Sequence, residues 1–175
     1  MAVVFLFKPE SHSAIMNSAT NYQLVIFDCD GVLVDSEPIA NKILWQHLQS
    51  LGFKLSLSDT ISTFKGLSMP SVLKKAEEIM HLSLPDQFLA QVQHETYDAF
   101  RAQLQPVTGI QQVLERLQNA GQDFCVASSG AHEKLALTLS LTGLIPMVKG
   151  RIFSAEQVVN GKPAPDLFLF AAHAM

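Results

Sequence analysis

Apolar positions along the chain follow two rhythms. Leu24 to Phe27 is a short continuous apolar run with β-branched members, which predicts a buried strand; the apolar run Val32 to Val34 follows after an acidic turn. The next stretch, SEPIANKILWQHLQSLG, places Ile39, Ile43, Leu44, Leu48 and Leu51 at helical spacing, with Ser36 as cap, Pro38 in the first turn and Gly52 past the end. Further helices are predicted over Ser58 to Phe64, Pro70 to Met80 and Pro85 to about Leu104, where caps or early prolines precede spaced apolar residues such as Val72, Leu73, Ala76, Ile79, Phe88, Leu89 and Val92. Residues 36 to about 103 therefore read as all helical. From Pro106 the pattern alternates. GIQQVLERLQNAG predicts a helix with Ile110, Val113, Leu114 and Leu117 on one face. DFCVASSG predicts a strand ending in hydroxyls, His132 to Leu141 a helix, RIFSAEQV a strand, and Pro165 the start of a last helix. Strands alternating with helices predict a parallel sheet, and ligands of such sheets bind outside the carboxyl ends of the strands.

Composition narrows the function classes. The chain has 175 residues, 48% of them hydrophobic and 16% charged, which predicts a globular core rather than a disordered tail. Its formal net charge of -4 and lack of a basic stripe argue against a nucleic-acid surface. Cys29 and Cys125 lie in or beside strand-like runs, as reduced core residues do, so the expected compartment is cytoplasmic. Residues 1–20 read as an N-terminal extension, disordered or arising from an upstream start. Its apolar stretch Ala2 to Phe7 is too short to span a membrane, and no membrane partner is expected. The histidines, among them His12, His47, His81, His94, His132 and His173, share no ligand spacing, so zinc is not expected.

The chemistry concentrates in YQLVIFDCDGVLVDSE, where Asp28, Asp30 and Asp35 follow an apolar strand. Ionised carboxylates at such a place need a cation or several hydrogen bonds, which points to a metal, a reacting group or both. A calcium loop of the EF-hand kind would need an oxygen ligand, Gly and Glu where this chain has Val32, Leu33 and Ile39. That reading fails.

Three segments, DCDG, SSG and GKPAPD, would converge at strand ends of the inferred sheet, and together they resemble the haloacid dehalogenase superfamily, in its subgroup with a helical cap after the first motif. The resemblance covers about residues 21–175. It implies a Rossmann-like parallel α/β core built from 21–35 and 104–175, with the cap over 36–103 acting as a lid. It also implies an aspartyl-phosphate mechanism. Asp28 would be the nucleophile, and Asp30 the general acid and then the base. The Asp28 carboxylate and the Asp30 main-chain carbonyl would hold Mg²⁺. Ser128, with backbone N–H groups around Ser129 and Gly130, would bind phosphate, and Lys162 would hold both phosphate and the nucleophile. Pro163 and Pro165 would stiffen the approach of that lysine.

Closest in appearance is the group containing β-phosphoglucomutase, phosphoglycolate phosphatase and small sugar-phosphate phosphatases. Lys65, in FKG, would contact substrate from the cap. The mutases' cap histidine and arginine would fall at Ala40 and Met69, and both are missing here. Losing a cationic clamp and an acid/base residue favours hydrolysis over mutase chemistry. The expectation is a Mg²⁺-dependent phosphatase for a small phosphorylated metabolite, a sugar or sugar-acid phosphate. The alternatives are a phosphosugar mutase and a catalytically silent relative with a binding role. The terminal pattern DLFLFAAHAM stops without a helix-ending signal, so a core incomplete at its C-terminus, lacking a later acidic pair, is expected. Oligomeric state and exact substrate are not legible.

Overall fold

A computed structural model describes the backbone of residues 4–7 and all of residues 23–175. The strands are β1 (Val4–Phe7), β2 (Leu24–Phe27), β3 (Asp123–Ser128) and β4 (Ile152–Ser154), in the spatial order β1-β2-β3-β4. The helices are α1 (Glu37–Ser50), α2 (Leu57–Phe64), α3 (Met69–Met80), α4 (Phe88–Gln103), α5 (Ile110–Asn119), α6 (His132–Leu141), α7 (Ile145–Val148) and α8 (Asp166–Ala174). A 3₁₀ turn over Ala155–Gln157 follows β4. Within the extension, expected to be disordered or to arise from an upstream start, Val4–Phe7 instead forms a strand paired with β2; residues 1–3 and 8–20, the rest of that extension, lie outside the described residues.

The chain divides into two compact units, one made of the segment ending at Asp35 together with Leu104–Met175, the other of Ser36–Gln103. In the first, β2 pairs in parallel with β3, and β3 with β4, whereas β1 runs antiparallel to β2. All four residues of β2 are buried, which is why its sequence is an unbroken apolar run rather than an alternation. Leu24 and Ile26 pack with Cys125, Ala127 and Phe153 against Leu167 and Ala171 of α8. The Phe27 and Phe124 rings meet edge to face with centroids 6.2 Å apart.

Several helical expectations need correction, and among the spaced apolar residues Ile79 and Leu89 are 40% and 41% exposed. Of the α5 stripe, Ile110 and Leu114 are buried, but Val113 is 43% exposed. A helix whose main sheet contact is with β3 covers a narrower stripe than its apolar residues could fill.

The helical unit has its own core of Leu44, Leu48, Phe53, Phe64, Val72, Ala76, Phe88 and Val92, one or two from each helix plus a linker phenylalanine. Phe53 and Phe64 stack at 5.9 Å. Ser56, not Ser58, caps α2 by accepting the Asp59 N–H. Ser36 stands at the α1 N-cap position without a side-chain cap bond, so Pro38 in the first turn and Glu37 at the positive end of the helix dipole are the start signals that operate.

Candidate active site

The site is assembled from strand ends of the first unit. β2 stops at Phe27, and the chain turns through Gly31 at φ 70, a left-handed value that glycine adopts without a Cβ penalty. The turn closes on itself. Gly31 N–H donates to Val34 O at 2.8 Å, Leu33 N–H to Cys29 O at 2.9 Å, and Asp30 bridges Val34. Asp35 N–H donates to Gln105 O and Val107 N–H to Leu33 O, each at 2.9 Å, so the exit and return of the chain are tied together. Val32, Leu33 and Val34 are buried beneath. Asp28 and Asp30 are thereby presented at the carboxyl end of β2, half-buried, while Asp35 is exposed.

Each of the first two aspartates meets a lysine. Lys162 Nζ lies 3.1 Å from Asp28 Oδ2 and donates to Ala127 O at 2.8 Å, so this ammonium joins the ends of β2 and β3. It also stands 5.1 Å from the centre of the Phe168 ring. The other Asp28 oxygen accepts the Cys29 N–H at 2.7 Å. Lys134 Nζ, from the first turn of α6, lies 2.8 Å from Asp30 Oδ2.

Ser128 ends β3 fully buried, and its Oγ accepts the Gly130 N–H at 3.1 Å. Ser154, at the end of β4, donates from Oγ to Gly130 O at 2.7 Å and accepts Glu156 N–H. Gln157 Oε1 accepts the Ser154 N–H, and Glu156 Oε2 accepts His132 N–H at 2.8 Å. The loop from Ser128 to His132 is thus pinned by β4 and its 3₁₀ turn. Ser129 is exposed.

The two cysteines are inert components. Burial first, then the Asp30 charge, pushes the Cys29 thiol from 9.0 up to about 12; burial does the same for Cys125 against the opposing pull of Arg151. Both are neutral free thiols at ordinary pH.

Asp28, Asp30, Ser128 and Lys162, singled out in the sequence, therefore lie at adjoining strand ends and in the loops that follow them. Lys65 follows the C-terminus of α2, exposed, in the other unit. Three contributors were not read from sequence: Lys134, Ser154 and Glu156. Ser154 had a usable signal, since RIFS ends a strand in a hydroxyl just as CVASS does. Lys134 had none, because the face of α6 turned toward Asp30 is fixed by packing.

The donor set is oxygen-rich and paired with cations, and suits phosphate and a hard metal ion rather than zinc. Among the described residues, no three His, Cys, Asp or Glu side chains gather as a metal cluster. Two carboxylate residues nevertheless fit Mg²⁺, which keeps waters and takes one or two carboxylates plus substrate phosphate.

A family model described as haloacid dehalogenase-like hydrolase matches residues 25–174. The chain belongs to that family. Among curated relatives it is 27% identical over 160 residues to the 6-phosphogluconate phosphatase of Escherichia coli K12, an alignment covering 87% of this chain and 68% of that protein. Among solved structures, a conserved haloacid dehalogenase-like protein of unknown function from Agrobacterium tumefaciens C58 superposes with a TM-score of 0.78 at 29% identity, covering 86% of this chain and 68% of the other. A haloacid dehalogenase family hydrolase from Deinococcus radiodurans R1, solved with bound phosphate and sodium, gives 0.70 at 30% identity, with 86% and 65% coverage. The chain thus spans about two thirds of each. The expected family and its α/β fold are both met, and the pairing of Lys162 with Asp28 falls inside the matched segment.

Proposed function

We propose that this chain carries the catalytic core of a Mg²⁺-dependent phosphatase acting on a small phosphorylated metabolite, a sugar or sugar-acid phosphate, through an aspartyl-phosphate. The observation that carries the reading is the Lys162 ammonium held between Asp28 Oδ2 and Ala127 O, beside buried Ser128. A carboxylate restrained by one cation and one backbone N–H is an oriented nucleophile, and the same cation can offset charge on the transferred oxygens.

In the first step an Asp28 oxygen bonds phosphorus as the bond to the leaving oxygen breaks, and Asp30 gives that oxygen its proton. In the second, Asp30 takes a proton from water whose oxygen attacks phosphorus, which releases inorganic phosphate and restores the Asp28 carboxylate. Ser128 Oγ and the N–H groups of its loop bind the non-bridging oxygens. Mg²⁺, held by the Asp28 carboxylate and the Asp30 carbonyl, would supply charge neutralisation at the phosphoryl group. The sugar-acid end of the substrate range is supported by the 6-phosphogluconate phosphatase relative. Substrate selection is assigned to the helical unit, with Lys65 as its contact.

The reading extends to a cytoplasmic protein without a nucleic-acid or membrane partner, on its formal net charge of -4 and its buried free cysteines. The test is phosphate release over a panel of sugar and sugar-acid phosphates. Turnover should require Mg²⁺, stop with EDTA, resume on adding Mg²⁺, and vanish in Asp28→Asn with the fold retained. Near-normal release by Asp28→Asn overturns the mechanism, and dependence on a bisphosphate activator would indicate a mutase instead.

A further inference from the structure

Lys134, the cation of the second lysine–carboxylate pair, has no part in the reaction just described. Lys134 Nζ and Asp30 Oδ2 are 2.8 Å apart, bridging residues separated by 104 positions, with side chains only 27% and 26% exposed. An exposed ion pair between flexible side chains usually contributes little, but here both partners are anchored. Asp30 has its backbone held by the bridge to Val34, and its carboxylate meets Lys134 at 2.8 Å. Asp28, a like charge two residues away, would push that carboxylate aside.

Lys134 is anchored from the other side. It sits in the first turn of α6, its carbonyl accepting the Thr138 hydroxyl at 2.9 Å. Thr138 also donates to Leu135 O, so its hydroxyl ties this turn of the helix together at the lysine. The lysine stem runs along Gly130: a Cβ built there would stand 3.5 Å from both Lys134 Cδ and Ser128 Oγ. One short segment, Ser128 to Lys134, therefore delivers the phosphate-binding hydroxyl and the cation on Asp30 together.

We infer that Lys134 is a positioning residue for Asp30, holding its carboxylate in one orientation at the strand end so that it can reach the leaving oxygen. The inference rests on the phosphatase reading above. Lys162 orients the nucleophile and Lys134 orients the acid. Asp30 acts as the acid only in the step that releases the leaving oxygen, the step reported by kcat/KM, so the role has a signature that a merely structural ion pair lacks.

The experiment compares wild type, Lys134→Met and Lys134→Arg on an alkyl phosphate from the active panel and on p-nitrophenyl phosphate, whose leaving group departs without protonation. Lys134→Met should lower kcat/KM for the alkyl ester by about 10–100-fold, part of the range general acid catalysis supplies. The aryl ester should lose less than about threefold, and Lys134→Arg should recover most of the alkyl activity. Equal losses of kcat/KM on both esters overturn the inference. In parallel, three-bond NMR couplings of Asp30 report its χ1: one rotamer in wild type and averaging in Lys134→Met are expected, and a single unchanged rotamer overturns the inference. Should wild type hydrolyse neither ester, the phosphatase reading fails and the couplings alone decide whether Lys134 positions Asp30.

Discussion

The Asp28–Lys162 pair can be weighed by a double-mutant cycle of Asp28→Asn and Lys162→Met. At the observed 3.1 Å, unit charges in an effective dielectric of about 20 attract by about 5 kcal/mol. Desolvation offsets much of this, since the lysine and aspartate side chains are 18% and 29% exposed. Lys162→Met leaves a half-buried carboxylate without that cation and the Ala127 carbonyl without that donor, at a cost of about 2–4 kcal/mol. Asp28→Asn keeps an acceptor for the ammonium and should cost about 1–2 kcal/mol. The double variant should be more stable than the sum of the two losses allows, by a coupling of about 1–3 kcal/mol. The probe must report the right unit. Trp45 and Tyr97 lie within Ser36–Gln103, so their fluorescence follows the helical unit. Amide hydrogen exchange of β2 and β3 residues such as Ile26 and Val126 gives the opening free energy of the core. Phosphate release by Lys162→Met should fall about 10²–10³-fold, as when one stabilising donor is removed. A coupling below about 0.5 kcal/mol with activity within tenfold of wild type would refute the claim that Lys162 holds the nucleophile.

Lys65→Ala should raise KM or lower kcat/KM for the true substrate while affecting a small generic phosphoester less, because remote contacts supply specificity; steady-state kinetics on both substrates checks this, and equal losses argue against a substrate contact. Cys29 and Cys125 should resist alkylation by iodoacetamide in the native protein at pH 8 and react on unfolding, read by mass spectrometry, because burial holds both thiols neutral. Their raised values also carry a stability term, present below about 9, where the unfolded thiol titrates, and lost as pH rises toward about 12. Alkaline unfolding followed by circular dichroism should therefore move to higher pH in Cys125→Ala relative to its own neutral-pH stability, and an unmoved midpoint contradicts the burial argument.

Residue order alone determined those features set within a few positions of one another. The unbroken apolar run of β2 declared a strand buried on both faces, Gly31 declared a turn, and the aspartates between them declared a charged strand end. Ser128 and Lys162 were legible because each stands at a short offset from an element whose period or proline marks its boundary. The tertiary structure decided the rest, since partners far apart in sequence have no local signature. Which lysine meets which aspartate depends on the rotation of α6 and on the path of the loop before α8, both set by packing on the sheet. The same holds for Ser154, whose hydroxyl acts on Gly130 only because β4 pairs in register with β3 through Ser128 and Ser154. It holds for Val113, whose exposure follows from how little of α5 the sheet covers, and for β1, whose apolar residues find an edge of β2 that no local pattern announces. Periodicity records what a segment can bury; only the assembled sheet fixes what lies opposite it.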